Sequence, residues 1–276
     1  MTLAALGPKG TFSCELAGLI KEEGEEILLF PTIREVFSAV SAHHIRGIVP
    51  VENSEAGGVG ETLDGLLETE CTITAEYYLP IRHFFVSGYD PDEISVVYLH
   101  PQTHEQCSVF LRSLKNAELI HTSSNAQSAK HAASTGKSAA VTTESAAKLY
   151  NLPILQKDIQ NSGNNTTRFL EISAGGVTPA NPEKCSIVIL PKENQPGLLY
   201  GILGVFARRG INLTRIESRP SKEGIGRYIF FIDIETGNGW KDAVKELKAV
   251  TILKELGCYR NQIVKRKEFI EENITD

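Results

Sequence analysis

The chain has 276 residues, of which 41% are hydrophobic and 22% are charged, and its net charge is −6. At about 150 residues per domain, this length predicts two domains, and it allows a core without covalent crosslinks. The composition excludes disordered, collagen-like and disulfide-scaffold proteins. An acidic chain without a long Lys/Arg run is unsuited to general nucleic-acid binding, and its apolar runs are too short for a bilayer span. We therefore expect no nucleic acid and no membrane as partner.

The five cysteines are an odd number, are widely spaced and form no Cys-x-x-Cys motif. This pattern predicts reduced, buried thiols and no zinc site. Residues 1–10 lack the basic-then-apolar layout of a secretory signal peptide. The two observations together predict a cytoplasmic protein.

The first part of the chain alternates short apolar runs with helical patterns. Thr32, followed by Glu35 three residues later, is typical of a helix start. The βαβαβ order predicts a mainly parallel α/β sheet. The predicted elements are strand Leu3–Leu6, a helix from Thr11, strand Ile27–Phe30, a helix from Thr32, strand Gly47–Val51 and helix Glu61–Glu68.

A second α/β lobe follows a long β-prone stretch, residues 71–86, which Pro80 interrupts. We interpret this stretch as a crossing between lobes and Arg168–Ile172 as a strand that returns to the first lobe. The sequence thus predicts a cleft between two lobes, about 1–78 with 160–175 and 79–159. The elements predicted between the crossings are strands Val96–Leu99, Leu119–Thr122 and Ala139–Thr142, and helices Pro101–Leu114, Ala126–Ala133 and Glu144–Tyr150.

Residues 174–182 have the Gly and Pro content of a linker. The order after it is βαββαβ, which is the ferredoxin-like arrangement. This α+β domain would span 184–260, with a hairpin at Glu223–Gly224, and 261–276 would be a tail. Its predicted elements are strand Ser186–Leu190, helix Gly197–Arg208, strands Asn212–Ser218 and Gly226–Ile234, helix Trp240–Lys248 and strand Ile252–Gly257.

Two strand ends carry candidate binding residues. Residues 7–13 join a strand to a helix, whose free N–H groups suit a carboxylate or phosphate. The residues alone favour an ordinary turn capped by Thr11 and Ser13. Asn53 and Ser54 end another strand, where ligands of open α/β sheets bind, or they cap the next helix.

The polar segment 161–169 turns abruptly β-like at Thr167 and Arg168. An arginine suits bidentate pairing with a carboxylate, and a threonine hydroxyl can donate to a leaving hydroxyl; a plain hairpin loop is the alternative. His100 and His104 have the i, i+4 spacing of a metal pair. With Pro101 between them and no carboxylate partner, we favour a helix-start turn and predict no metal.

Several motifs in order resemble prephenate dehydratase, and the second unit resembles its ACT regulatory domain. The resemblance covers Leu3 to about Tyr259. Its ACT part lies in Asn194–Leu199, similar to the family's Gly-Ala-Leu motif, and in Glu217–Pro220, which reads Glu-Ser-Arg-Pro. Its catalytic part lies in Gly7–Ser13, Pro50–Ser54 with Thr62–Asp64, His100–Gln102 with Gln106–Cys107, and Asn165–Phe169.

The resemblance implies conversion of prephenate to phenylpyruvate, water and CO2 without a cofactor or metal. It implies two lobes of the type II periplasmic-binding-protein kind. Thr167 would assist departure of the ring hydroxyl, Arg168 would anchor a substrate carboxylate, and Asn53 and Gln106 would orient the substrate. The implied substrate-binding residues are Ser54, Thr11, Ser13 and Phe169, the last by packing.

The resemblance also implies feedback regulation by L-phenylalanine, bound between ACT domains of a homodimer or homotetramer. The implied effector-binding residues are Gly197, Leu198, Leu199, Asn212, Glu217, Ser218, Arg219 and Pro220.

Two positions depart from the family pattern. Leu99 stands where a serine precedes His-Pro-Gln, which we expect to remove a hydroxyl from the cleft, and Leu198 stands where an alanine is usual at the effector site. Three alternatives stay open: an arogenate dehydratase, an amino-acid sensor that has lost catalysis, and a solute-binding protein. The ACT-like unit disfavours the last.

Overall fold

The structure is a computed structural model that describes residues 1–176, 178–192, 195–221 and 228–262. The expected hairpin at Glu223–Gly224, the motif residue Asn194 and positions 263–276 of the predicted tail lie outside this part of the chain. The described strands form two sheets, one of ten strands and one of five. None of the described helices has the length and hydrophobicity needed to cross a bilayer.

The first lobe contains the predicted βαβαβ unit. Strand β1 pairs in parallel with both β2 and β3. Helix α2 begins where predicted, because the Thr32 Oγ1 atom accepts a hydrogen bond from the Glu35 N–H over 3.2 Å. The elements are β1 (Thr2–Leu6), α1 (Phe12–Ile20), β2 (Glu26–Phe30), α2 (Ile33–His43), β3 (Arg46–Asn53), β4 (Gly57–Gly58), α3 (Gly60–Glu68) and β5 (Cys71–Pro80).

The second lobe is built on the five-stranded sheet, in which β7 pairs in parallel with β8 and β9. Its elements are β6 (Phe84–Ser87), a 3-10 helix (Pro91–Glu93), β7 (Val96–Leu99), α4 (Pro101–Gln106), α5 (Ser108–Leu111), β8 (Glu118–His121), α6 (Asn125–Ser134), β9 (Ser138–Thr142), α7 (Glu144–Leu149) and β10 (Ile154–Gln156).

The prediction of one helix over Pro101–Leu114 is wrong, because the helix breaks at Cys107. The Asn161 side chain occupies the break: its Oδ1 accepts from the Val109 N–H and its Nδ2 donates to the Glu105 carbonyl, each over 3.0 Å. In a continuous helix these two backbone groups would bond to each other. The amide of Asn161 thus takes the place of one helical hydrogen bond.

The chain returns to the first lobe in strand β11 (Thr166–Ala174), as predicted. This strand lies antiparallel between β3 and β5, so the complete first-lobe sheet is mixed. Its register sets Thr167 opposite Asn53.

The C-terminal unit has the predicted ferredoxin-like order, with strands in the sequence β13-β14-β12-β15 across the sheet. The last strand is longer than predicted: its residues Arg260–Gln262 pair in parallel with β5 and make one sheet of both domains. The elements are β12 (Lys184–Leu190), α8 (Leu198–Ala207), β13 (Leu213–Pro220), β14 (Tyr228–Glu235), α9 (Trp240–Val250) and β15 (Ile252–Gln262).

One hydrophobic core spans both domains. Val188, Phe231 and Tyr259 of the C-terminal unit pack in the same buried cluster as Phe37 and Leu170 of the first lobe. The sheet face opposite α8 and α9 is therefore covered by the first lobe, while the other face packs on those two helices.

The prediction that all cysteines are reduced is wrong for two of them. Cys185 and Cys258 are joined in a disulfide, whereas Cys14, Cys71 and Cys107 are free. The pair is separated by 73 residues, and the ferredoxin-like topology makes the first and last strands neighbours, which sets the two cysteines directly opposite each other. The spacing of the cysteines along the sequence does not predict that Cys185 and Cys258 are neighbours.

Gly257 lies where β15 approaches the first-lobe sheet. Its φ is +141°, and a Cβ atom there would lie 2.3 Å from the Ile73 carbonyl oxygen. We expect Gly257→Ala to lower the free energy of unfolding by about 2 kcal/mol or more, because the backbone of Gly257 or Ile73 must move to admit the methyl group. Urea denaturation measures this. Gly18→Ala is the control, since Gly18 is helical and a Cβ there meets open space, and it should gain about 0.5–1 kcal/mol.

Candidate active site

A cleft of about 780 Å³ lies between the lobes. This volume suits a small organic ligand. The first lobe contributes Leu6, Gly7, Pro8, Thr11, Phe12, Ser13, Pro31, Pro50, Thr167 and Phe169, and the second contributes His100, Gln102, Ser123, Ser124, Asn125, Ala126, Gln127, Lys130 and Tyr150.

Two helix N-termini line the cleft from opposite lobes. Thr11 caps α1, with its Oγ1 accepting from the Cys14 N–H, and Ser124 caps α6, with its Oγ accepting from the Gln127 N–H over 3.1 Å. The first turns of both helices are among the lining residues. Helix N-termini carry partial positive charge, so the cleft favours an anionic ligand.

Thr167 lines the cleft, and Asn53 holds its hydroxyl. The Asn53 Nδ2 donates to Thr167 Oγ1 over 2.9 Å, while its Oδ1 accepts from the backbone N–H groups of Glu55 and Ala56. Because those two donors fix the amide orientation, the Thr167 oxygen is an acceptor in this contact. Its own hydrogen is left to donate to a ligand.

Asn165 is a site residue that the sequence predictions omitted. It is 1% exposed, and its Oδ1 accepts from Asn53 Nδ2 over 2.7 Å. Its own Nδ2 has no hydrogen-bond partner among the described residues. Ser54, expected to bind substrate, is exposed and instead holds the same loop, accepting from the Thr166 N–H over 3.0 Å.

The expectation that Arg168 grips a substrate carboxylate is corrected by the structure. Successive side chains of a strand point to opposite faces, so Thr167 and Phe169 line the cleft while Arg168 turns toward the ACT-like unit. Arg168 is 3% exposed and does not line the cleft.

Arg168 is instead held by groups from both domains. Its guanidinium donates to Glu76 over 2.7 Å, to Asp233 over 2.6 Å and to the Tyr259 hydroxyl over 3.0 Å. Burial opposes its charge, but Asp233 and the other nearby anions outweigh this and raise the pKa of Arg168. Burial and then Asp233 raise the pKa of Tyr259, which keeps its hydroxyl protonated. Ser186 closes the network, donating to Asp233 over 2.5 Å.

Gln106, expected to orient the substrate, does not line the large cleft. Its Oε1 lies 2.9 Å from the His83 Nε2, and it borders a separate cavity of about 290 Å³ together with Glu55 and Asn161. His83 is buried, and its Nδ1 has no partner among the described residues. Desolvation by this burial lowers the pKa of His83, so the ring is neutral and donates from Nε2.

Leu99 does not alter the cleft as expected. Its side chain is fully buried in the second-lobe core, with Val97 and Cys107 among its neighbours, so no cleft hydroxyl is lost there. His100 starts α4, with its Nδ1 accepting from the Gln102 N–H over 3.3 Å, as the helix-start interpretation predicts.

The eight expected effector residues do not all lie in one place: six lie in or on the ACT-like unit, and two face the first lobe. Gly197 starts α8, Leu198 packs partly in the ACT-like core, and Leu199 is 37% exposed. Ser218 and Pro220 are exposed, and Asn212 donates to Glu235 over 3.1 Å.

Glu217 and Arg219 instead face the first lobe. Glu217 lies against Gly58, where an added Cβ would meet its carboxylate. Arg219 donates to the Gly60 carbonyl over 2.5 Å and to Asp64 over 2.8 Å. These two side chains bridge the domains within one chain.

The fold and site together define a two-lobed α/β protein whose cleft is suited to an anionic ligand and whose chain continues into a ferredoxin-like domain. The family model for prephenate dehydratase matches residues 3–176, and that for the ACT domain matches residues 192–251. The prephenate dehydratase of Methanocaldococcus jannaschii is 37% identical over 91% of this chain and 95% of its own length. The chain therefore belongs to the prephenate dehydratase family.

Other proteins are similar to this chain over most of its length. The bifunctional chorismate mutase/prephenate dehydratase of Pseudomonas aeruginosa is 38% identical over 96% of this chain and 74% of its own length. The crystal structure of prephenate dehydratase from Arthrobacter aurescens in complex with L-Phe has a TM-score of 0.85 at 31% identity, over 94% of this chain and 90% of that one. A protein described as a quorum quenching acylase, GqqA, has a TM-score of 0.86 at 25% identity over 95% and 98% of the two chains. Fold similarity by itself thus does not select the reaction.

The Arg168 network predicts a stability defect. Arg168→Met leaves the buried Asp233 carboxylate without a cation among the described residues and leaves Glu76 with Lys184 alone. We expect a loss of about 3–5 kcal/mol in unfolding free energy. Urea denaturation measures it. Arg82→Met is the control, because the Arg82–Asp158 pair is exposed and should contribute about 0–1 kcal/mol. Unchanged stability together with a large rise in KM would instead restore the substrate-anchoring role.

His83 predicts a pH effect on stability. Its folded-state pKa lies below the unfolded value of about 6.5, so the unfolded chain binds the proton first and stability falls as pH drops below that value. We expect the stability loss between about pH 7.5 and 5.5 to shrink in His83→Gln. Equal losses in wild type and variant would contradict this. His43→Gln is the matched control, because His43 is exposed. This variant should keep the wild-type dependence of stability on pH.

Proposed function

We propose that this protein converts prephenate to phenylpyruvate, CO2 and water in the cleft between the lobes. The observation that carries the proposal is the Asn53–Thr167 contact, which leaves the Thr167 hydroxyl able to donate a hydrogen bond in a cleft suited to anions. Membership of the prephenate dehydratase family supports the same reaction.

The chemistry needs positioning more than a strong base. The bond between the ring and its carboxylate breaks, and its electron pair enters the ring as CO2 leaves. The C–O bond to the ring hydroxyl breaks at the far side, and the departing oxygen takes one proton, supplied in net by solvent, to leave as water. Thr167 donates a hydrogen bond to this oxygen and keeps its own proton. Aromatisation drives both changes, so no redox cofactor enters the electron balance. A hydrogen bond to the departing hydroxyl is the help that the protein must supply.

Asn53 acts through Thr167 in this scheme. It orients the Thr167 hydroxyl and is itself fixed by the Glu55 and Ala56 backbone and by Asn165. Thr11 and Ser13 border the substrate at the start of α1, and Phe169 packs beneath the site with Leu16 and Ile48. Gln106 positions His83 and the α4 end rather than the substrate.

Regulation by L-phenylalanine through the ACT domain is part of the proposal, as is a cytoplasmic homodimer or homotetramer. The bound L-Phe in the Arthrobacter aurescens relative supports the effector. Exposed apolar side chains on α8 and the edge strand β13, Leu199 at 37%, Tyr200 at 83% and Ile216 at 45%, support pairing of ACT domains.

We also propose a route by which the effector signal reaches the site. Glu217 and Arg219 contact the segment from Gly58 to Asp64. That segment begins in β4, which pairs with β3 at Asn53. A shift of β13 would therefore be transmitted to the residue that orients Thr167.

The catalytic prediction is loss of turnover in Thr167→Ala. Without the hydroxyl we expect kcat to fall about 10²- to 10⁴-fold, whereas Thr167→Ser should keep most activity. Phenylpyruvate formation from prephenate at neutral pH, against a no-enzyme blank, measures this. Parallel reactions with arogenate establish the substrate preference. If the wild type converts neither prephenate nor arogenate, the proposed function is refuted. Full activity in Thr167→Ala would refute the role of the hydroxyl.

The regulatory prediction concerns Asp64. Removing this partner of Arg219 in Asp64→Asn should leave turnover without effector within about twofold, since Asp64 does not line the cleft. We expect L-phenylalanine to inhibit the variant less than wild type, because the link between β13 and the first lobe is weaker. Turnover against L-phenylalanine concentration tests this, and identical inhibition curves would show that the signal takes another route.

A further inference from the structure

Because Arg168 faces the ACT domain, another group must balance the charge of the substrate in the cleft. Prephenate is a dianion, with one carboxylate on the ring and one on the side chain. Among the residues that the structure describes, Lys130 is the one lysine or arginine whose side chain lines the cleft. Helix N-termini supply only partial positive charge, so the full charge of a lysine in the cleft attracts a carboxylate more strongly than they do.

Lys130 sits on the cleft face of α6. It lies three residues after Gln127 and four after Ala126, which also line the cleft, so the three share one side of the helix. Its side chain has no ion-pair partner within the described ranges. Its ammonium group is therefore available to a ligand.

The neighbouring histidine does not substitute for this charge. His100 also lines the cleft, but burial and then the nearby His121 lower the pKa of His100. The ring is neutral at neutral pH. The fixed positive charge of the described cleft wall is thus that of Lys130.

We propose that Lys130 binds the side-chain carboxylate of prephenate. This inference rests on the proposed function and names a contact that it lacked. The ring carboxylate gives up its charge as CO2, so a cation on it would stabilise the ground state more than the transition state. The side-chain carboxylate keeps its charge from substrate to product, and a cation there costs nothing in the chemical step.

The placement fits the substrate. The ring hydroxyl and the carbon that bears both carboxyl-containing groups lie at opposite ends of the six-membered ring. Thr167 is on the first-lobe wall and Lys130 on the second-lobe wall. One residue can therefore hold the hydroxyl end while the other holds the side chain, which also draws the lobes together around the ligand.

Uniform binding of substrate and transition state has a kinetic signature. Lys130→Met should raise KM for prephenate about 10- to 100-fold, the range expected for a lost hydrogen bond to a charged group, with kcat within about threefold of wild type. Phenylpyruvate retains the same carboxylate, so its dissociation constant should rise by a similar factor. Lys130→Arg should restore most of both.

The experiment measures kcat and KM for prephenate, and phenylpyruvate binding by calorimetry, on the full chain. Lys115→Met is the matched control, since Lys115 is an exposed lysine of the same lobe that does not line the cleft. Unchanged KM and unchanged phenylpyruvate affinity in Lys130→Met would overturn the proposal. A rise in kcat with unchanged phenylpyruvate affinity would also overturn it, because it would place Lys130 at the ring carboxylate, whose charge is lost in the transition state.

The two proposals can fail separately. Phenylpyruvate binding needs no turnover, so it reports on Lys130 even if wild type does not convert prephenate. Absence of wild-type turnover would refute the reaction, whereas wild-type turnover with no effect of Lys130→Met would refute only the carboxylate contact.

Discussion

Alternation of side chains along β11 ties the cleft to the domain interface. Thr167 and Phe169 face the cleft, and Arg168 between them faces the ACT domain. A buried guanidinium needs anionic partners, and it takes Glu76 from the first lobe and Asp233 from the ACT domain. The same three residues therefore build the floor of the cleft and dock the second domain, so that neither feature can change without the other.

The ACT domain also contacts the first lobe at a second region, next to Asn53. Strand β13 contacts the segment that follows Asn53, through Glu217 and Arg219. The continuous sheet, the shared hydrophobic core and this contact make the ACT domain part of the frame around Asn53 and Thr167. Allosteric control requires an effector to prefer one of two arrangements. In the proposed regulation, an effector would bias the contact between β13 and the segment that follows Asn53.

Sequence reasoning succeeded where the signal is local. The capping residues Thr11 and Thr32 start helices as predicted, and the strand order of the ferredoxin-like unit is confirmed. It failed where a distant group decides a local outcome. The side chain of Asn161 divides the helix predicted over Pro101–Leu114, and Leu99 turns to the core rather than the cleft. Asn165 and Lys130 belong to the site only because a loop and a helix converge there.

The domain order, the family motifs and most helix and strand starts can be predicted from the residues in order, because they depend on residues a few positions apart. The tertiary structure alone decided which way Arg168 faces, since its partner Asp233 is 65 residues away. It likewise decided that Cys185 meets Cys258 and that β15 continues into the first-lobe sheet. Strand alternation assigns side chains to two faces, but only packing determines which face meets substrate and which meets another domain.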